Sequence, residues 1–381
     1  MTTRPITARL ISSAVALVLG SVLVAGCGGA SGDGEPGALA VIVGAHSNMV
    51  APSLITAVRD EIDTASDLGS PATVIVPDGT PTASAALELA TPNDNPLYQQ
   101  DQVNQLNTLI DSTRADSPEV DLLSAIALAA RSVTDAVGPQ TIIVIDSGLQ
   151  TTGALRFQDQ DSALLNANPS EVVDLLRRTQ QLPDLSGIRV VFTGLGDTAP
   201  PQQPLPQPAR AVLVELWKTI VEAAGGTAEI IQAPLPNTRT LEGLPPVAVV
   251  PVAVRSIGPV PSVTVLRDGT VGFLPDQAVF RDPGAARTVL SDYARAIQNG
   301  KQALLTGTTA SAGTKEGRLA LSRDRANAVR ELLISLGAPA DRIEARGLGS
   351  DFPGYVTDRD AQGNLDPLQA AQNRQVIIEL T

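Results

Sequence analysis

Seven prolines fall in the 28 residues from Pro234 to Pro261, in a stretch otherwise rich in valine and alanine. Each proline removes a backbone donor and fixes φ near about −65°, so neither a helix interior nor a central strand passes through such a segment. The chain is therefore divided into two folding units, residues 39–233 and 262–381, joined by a proline-rich linker over 234–261. Stiff, extended prolyl chain is expected to act as a spacer that keeps the two units apart. With 43% hydrophobic residues, each unit has enough apolar side chain to bury a core.

The first unit alternates short apolar runs with helical patterns. Leu39-Ala40-Val41-Ile42-Val43, Thr73-Val74-Ile75-Val76, Thr141-Ile142-Ile143-Val144-Ile145, Ile188-Arg189-Val190-Val191-Phe192 and Ala228-Glu229-Ile230-Ile231 have the length and composition of buried strands. Between them lie helical stretches: one from Pro52 through Ile62, an amphipathic one over 99–114, then 120–133 and 209–223. A further helix opens at Asn168-Pro169-Ser170-Glu171, with Asn at the cap, Pro at the first helical position and Glu at the third. Repeated β-α-β units predict an α/β domain with a mostly parallel, Rossmann-like sheet and helices on both faces.

The first 27 residues read as an export address. Arg4 and Arg9 precede an apolar run from Leu10 to Ala25, shorter than the roughly 18–20 residues of a stable membrane span. It ends in Leu23-Val24-Ala25-Gly26-Cys27, which resembles a bacterial lipobox. Cys27 is the only cysteine and is expected to take a diacylglyceryl group; two or three acyl chains anchor firmly where one would be marginal. The glycine-rich residues 28–38 form a flexible tether. The expected location is the cell envelope, at the cell membrane or the outer membrane.

Composition removes several function classes. A net charge of −13, with 27 basic against 40 acidic residues, argues against a nucleic-acid groove. One cysteine and one histidine, His46, exclude an internal disulfide and a Cys/His zinc cluster. No cofactor and no metal are expected. No series of roughly ten-residue amphipathic strands indicates a membrane barrel.

In the second unit, Val271-Gly272-Phe273-Leu274-Pro275-Asp276-Gln277-Ala278 is followed by a helix over 285–298 and the strand Gln302-Ala303-Leu304-Leu305-Thr306-Gly307. Next come Leu321-Ser322-Arg323-Asp324-Arg325-Ala326-Asn327-Ala328-Val329, then Gly337-Ala338-Pro339-Ala340-Asp341-Arg342-Ile343, Ala345-Arg346-Gly347-Leu348-Gly349 and Pro353. Asn373-Arg374-Gln375-Val376-Ile377-Ile378 closes the series. In this order and spacing, the sequence from Val263 onward resembles the OmpA-like peptidoglycan-binding family. The resemblance implies an α+β domain of βαβαβ type in which Val271–278 is the entry strand and loop. It also implies capture of the diaminopimelate of a peptidoglycan stem peptide, whose ammonium and carboxylate sit on one carbon. Arg325 would take the carboxylate bidentately from the helix's open edge, with Leu321, Ala328 and Val329 facing the core.

One departure stands out. The family's Gly-x-Thr-Asp turn reads Gly307-Thr308-Thr309-Ala310, so Ala310 replaces the aspartate that takes the ammonium, and Arg318 stands where asparagine is usual. Thr309 remains at the site, and Asp324 and Asp276 are candidate substitutes, although helix geometry puts Asp324 about 100° around the axis from Arg325. Asn373 and Arg374 are read as structural, tying the last strand to the helix.

The strand order of the first unit loosely resembles a von Willebrand factor A-like domain. That resemblance implies a divalent-cation loop after the first strand, but Gly44-Ala45-His46-Ser47-Asn48 lacks its aspartate and paired serines. Asp146 after the third strand is left alone. His46 and Asp146 are both expected at the strands' C-terminal ends, where such sheets bind ligands. The resulting expectation is a non-enzymatic, lipid-anchored envelope protein binding peptidoglycan non-covalently, with a possible protein partner for the first unit. The alternative is an interaction scaffold whose second domain has lost diaminopimelate binding.

Overall fold

β1 (Ala38–Val43) is buried at every position because it lies in the middle of a six-stranded sheet with helices on both sides. The computed structural model describes residues 35–89, 96–236, 239–252 and 260–381. The export address, Cys27 and most of the tether lie outside the described residues. β2 (Pro71–Val76) and β4 (Gln140–Ile145) flank β1 in parallel, and β5 (Arg189–Thr193) and β6 (Thr227–Ile231) extend the sheet beyond β4, also in parallel. β3 (Thr82–Glu88) closes the other edge antiparallel to β2, giving the order β3-β2-β1-β4-β5-β6.

The two-residue repeat of a strand sends alternate side chains to opposite faces. Leu39, Val41 and Val43 meet Val58 and Ile62 of α1 (Thr56–Asp67) and Leu106 and Ile110 of α2 (Pro96–Ser112). Ala40 and Ile42 meet the core built by α3 (Leu122–Val133), α4 (Pro169–Arg178) and α5 (Gln207–Ala223), whose largest buried side chain is Trp217. Trp217 Nε1 donates to Gly148 O at 2.9 Å, so the indole is buried without an unmet donor. Asn168 caps α4 as its sequence predicts, accepting from Ser170 N at 3.1 Å.

The proline-rich segment does not hold the units apart. It runs over the first unit, accepting and donating hydrogen bonds at successive residues. Ser47 Oγ donates to Pro245 O, Glu119 N to Pro246 O, and Asn48 Nδ2 to both Val247 O and Ala248 O. Gln202 brackets Val250, donating to its carbonyl at 3.0 Å and accepting from its amide at 2.8 Å. Val247 and Val250 are buried in the first unit's core. Proline removes donors but leaves carbonyls, and those carbonyls make this segment a strap. The strap also trims α1: Ala51 N donates to Arg239 O and Val50 bridges Thr240, so the helix expected from Pro52 starts at Thr56.

The second unit has a four-stranded sheet in the order β7-β10-β8-β9. β7 (Val263–Leu266) and β8 (Ala303–Thr308) pair antiparallel with β10 (Gln375–Leu380), while β9 (Ile343–Gly347) is parallel to β8. α7 (Pro283–Gln298) and α8 (Lys315–Ser335) supply the helical layer of its core. The entry strand is thus β7, not 271–278. That later segment forms the end of the short helix α6 (Asp268–Val271) and a loop closed by a Phe273–Phe280 bridge.

The two units dock. Ala371 of α9 (Pro367–Asn373) is buried in the first unit's core, and Gly269 N donates to Asn166 Oδ1 at 2.7 Å. Gln160, Asp161 and Ser162 carry φ of 50°, 57° and 60°, three successive left-handed residues that each cost about 1–2 kcal/mol. Each reaches across: Gln160 accepts from Gln372, Asp161 pairs with Arg267, and the Ser162 hydroxyl donates to Pro251 O on the strap. Arg374 pairs with Glu171 of α4, an ion pair across the boundary with side chains only 12% and 19% exposed. Glu171 therefore serves the domain contact.

Candidate functional site

α8 lies directly on two glycines. A Cβ at Gly307 of β8 would stand 1.9 Å from Ser322 O, and one at Gly347 of β9 would stand 2.3 Å from Arg323 N. Ser322 is fully buried and its hydroxyl accepts from Gly349 N at 3.0 Å, stapling the helix to the turn after β9. The helix rests on this glycine floor at Ser322 and Arg323, and its buried stripe runs Ser322, Arg325, Ala326, Val329 and Leu333, so Val329 faces the core as expected. Arg325 is consequently on the buried stripe rather than at an open edge, and is 6% exposed; Leu321 and Ala328 are only half-buried.

A buried guanidinium needs acceptors and counter-charge. Arg325 Nε donates to Gln277 O at 3.0 Å, and its guanidinium carbon lies 5.3 Å from the Phe273 ring centroid. Phe273 stacks on Phe280 with centroids 4.9 Å apart, so the platform is itself held in place. Burial lowers the Arg325 pKa; the Asp268 charge opposes that, Arg374 adds to it and Asp276 opposes it. Half-buried Asp268 has a raised pKa, because burial outweighs the opposing charge of Arg325, the Phe273 amide and the charges of Arg281 and Arg374. No ion pair within 4.0 Å reaches Arg325 among the described residues, and its two terminal nitrogens have no partner there. Those nitrogens are the edge of the fork that a carboxylate accepts from bidentately.

The other expected site residues are placed unequally. Thr309 is buried, its amide bonded to Gly349 O and its hydroxyl without a partner among the described residues. Ala310 is buried at 2% exposure. Asp324 is exposed on α8. Asp276 is exposed at φ 52° in the loop whose next residue holds Arg325. Asn373 is buried, bonding Val356 through both its amide oxygen and nitrogen, and donating to Asp358 Oδ2 at 3.0 Å. Asp358 also accepts from Ser311 N, Ser311 Oγ and Tyr355 Oη, which fixes the turn after β8 to α9. Burial would raise its pKa, but these bonds outweigh burial and lower it. Asp268 and Asp358 carried no sequence signal; both act through partners distant in the chain.

At the C-terminal end of the six-stranded sheet, His46 and Asp146 meet. His46 Nε2 is 3.0 Å from Asp146 Oδ2 and Nδ1 is 2.6 Å from Ser47 O, with both side chains buried. Both neighbours offer acceptor oxygens, an arrangement that favours the doubly protonated ring. Burial lowers its pKa, but the Asp146 charge and the hydrogen bonds to Asp146 and Ser47 O outweigh burial and raise it above the ordinary 6.5. Both side chains are buried and the strap is bonded to the neighbouring Ser47 and Asn48, so we read the pair as a latch between the first and fourth strands. A histidine whose folded pKa is raised contributes stability fully below its unfolded pKa and loses it as pH rises through the folded value. Thermal midpoints of wild type and His46→Gln should therefore differ most at acid-to-neutral pH and converge above the raised pKa. Curves that stay parallel across that range would refute the ionic latch. Among the described residues no group of three or more His, Cys, Asp or Glu is placed to hold a metal ion.

A family model described as the OmpA family matches residues 273–364. Among solved structures, the peptidoglycan-associated lipoprotein from Burkholderia pseudomallei is 29% identical, over 29% of this chain and 88% of that one, at a TM-score of 0.25. The cell wall anchor of the T6SS from Pseudomonas aeruginosa is 28% identical, over 30% and 78%, at 0.24. The periplasmic domain of Helicobacter pylori MotB is 17% identical, over 31% and 81%, at 0.26. No curated protein matches the chain. The segment that supplies Phe273, Gln277, the glycine floor and Arg325 is the matched segment, and the chain carries an OmpA domain in its C-terminal region, over residues 273–364.

Proposed function

We propose that this chain is a non-enzymatic envelope protein that holds peptidoglycan non-covalently through Arg325 and is itself held in a membrane by acyl chains on Cys27. The observation that carries the reading is the guanidinium of Arg325: stacked on Phe273, tethered at Nε, and left with two unpartnered donors in a domain that matches the OmpA family. Rigid presentation lowers the entropy lost when a carboxylate is gripped. In this reading residues 1–27 are the signal segment, 28–38 the tether, 39–233 the α/β domain, 234–261 the connector and 262–381 the wall-binding domain. Among the described residues no helix is long and apolar enough to cross a membrane; the anchor is read from the lipobox-like sequence that ends at Cys27.

The test uses full-length protein in detergent, sedimented with insoluble peptidoglycan. The wild type is expected in the pellet; recovery only in the supernatant would overturn the reading. Cys27→Ser is expected to shift the protein from the membrane fraction to the soluble fraction of expressing cells without changing that sedimentation. A variant that stays membrane-bound would overturn the anchor assignment.

A second reading, an interaction scaffold, draws on Ala310. With no carboxylate at that turn, the OmpA domain would only position the α/β domain for a protein partner. It predicts that sedimentation with peptidoglycan fails in the wild type as it does in Arg325→Ala.

A further inference from the structure

The first unit grips the strap mostly by its backbone. Glu119 N donates to Pro246 O, and the Glu119 carboxylate accepts from Ala248 N at 3.1 Å. Gln202 donates to Val250 O and accepts from Val250 N, while Ser47 Oγ donates to Pro245 O and Asn48 Nδ2 to Val247 O and Ala248 O. Each of these bonds ends on groups that any extended chain presents. Side-chain burial is confined to Val247 and Val250, at 9% and 1% exposure, whereas Pro246, Val249 and Pro251 are exposed. Three residues make one turn of a polyproline II chain, so two valines at that spacing fall on one side of it.

The groove has walls of its own. Ser47 and Asn48 follow β1, and Ala199 and Gln202 follow β5, at the strand ends where open α/β sheets bind ligands. Asn48 O accepts from Ala199 N at 2.9 Å and Ala199 O from Gln202 N at 3.0 Å, which ties the two walls together. Asn48 has φ 74°, a left-handed conformation that Asn tolerates better than most side chains. Gln202 shows a complete clamp, with both ends of its carboxamide on one strap residue. Asn48 shows half of one. It is 7% exposed, its Nδ2 is engaged, and its buried Oδ1 has no partner among the described residues. A buried acceptor without a donor is costly, so the strap is an imperfect occupant of a groove with room for one more backbone donor.

We infer that this groove is the docking site for an extended, proline-rich segment of a partner protein, of the pattern Pro-Pro-Val-x-x-Val, and that the strap fills it in cis. The partner segment replaces the strap, sets its two apolar residues where Val247 and Val250 lie, and supplies a backbone N–H to Asn48 Oδ1. Prolines stiffen such a segment and reduce the entropy lost when it is gripped. The inference rests on the strap alone and is independent of Arg325.

Fluorescence anisotropy of two labelled peptides with the full-length protein in detergent tests it. One peptide carries residues 243–252; the other keeps Pro245, Pro246, Val247, Val250 and Pro251 and has serine at every other position. In wild type the tethered strap competes at high effective concentration. Val250→Asp puts a charge in place of a buried valine and drives the strap off, so both peptides are expected to bind this variant at least tenfold more tightly than wild type. Adding Gln202→Ala should weaken that binding at least fivefold. Val250→Ala loosens the strap without burying a charge; it is expected to show a threefold gain, and serves if Val250→Asp loses the wild-type unfolding midpoint of Trp217. No gain in a folded strap variant, or a gain that Gln202→Ala leaves untouched, overturns the inference. Binding confined to the first peptide assigns the groove to this chain's own strap and overturns the partner.

Discussion

Arg325→Ala should lower the affinity for insoluble peptidoglycan by ten- to a hundredfold, moving most of the protein from pellet to supernatant. A charge-assisted bond to a carboxylate contributes about 1.5–3 kcal/mol, and each 1.4 kcal/mol is about tenfold in affinity. The loss has a structural component as well, because Gln277 O loses its donor and Phe273 its cation, while Asp268 keeps Arg281 and Arg374 as counter-charges. Arg325→Lys separates the two effects. The ammonium keeps the charge but not the planar fork, and cannot donate to Gln277 O while presenting two parallel donors to a ligand. It should recover thermal stability better than binding. Equal affinities of all three proteins for peptidoglycan, measured by sedimentation, would remove Arg325 from the function.

Gly307→Ala should unfold the OmpA domain or destabilise it by at least the upper end of the about 1–3 kcal/mol seen on overpacking. The added methyl would meet Ser322 O at 1.9 Å, a helix backbone atom that cannot swing aside as a side-chain terminus can. Because Gly347 is closed by Arg323 N at 2.3 Å, α8 cannot slide along the sheet to make room. The check exploits the single tryptophan, Trp217, buried in the first unit. Its fluorescence reports that unit alone, whereas far-ultraviolet circular dichroism reports both. In Gly307→Ala the dichroism transition should move to lower denaturant while the tryptophan transition stays nearer its wild-type midpoint. Two coincident, unshifted transitions would show that the helix can lift from the sheet without cost.

The central strands were legible because burial on both faces demands unbroken Val and Ile runs, as in β1 and β4. β3 was not, because Thr-Ala-Ser-Ala-Ala-Leu-Glu has little β-propensity of its own; it is a strand through pairing with β2. Arg325 was legible as a residue and misread as a position. Of Leu321, Ala328 and Val329, read as the inward face, only Val329 is buried; the glycines seat the helix at Ser322 and Arg323, and the buried stripe that results takes in Arg325. The docking of the proline-rich strap on the first unit was hidden for a different reason. Proline content excludes ladders of donors, but it says nothing about carbonyls, and the acceptors on 245–251 found their donors in Ser47, Glu119, Asn48, Gln202 and Ser162. The charge that most opposes the burial of Arg325, that of Asp268, lies outside the matched 273–364 segment.

The strap has a mechanical consequence. In a chain fixed to a membrane at one end and to the wall at the other, tension would enter the α/β domain at Ala38 and leave it through the strap. β1 begins at Ala38 and is bonded on both sides, to β2 and β4, in parallel register. A pull along that strand loads its hydrogen bonds together, in shear, instead of peeling them one at a time. The weaker joint is the seam between the units, so stretching should first part Arg374 from Glu171 and draw Ala371 out of the first unit's core while the two sheets stay folded.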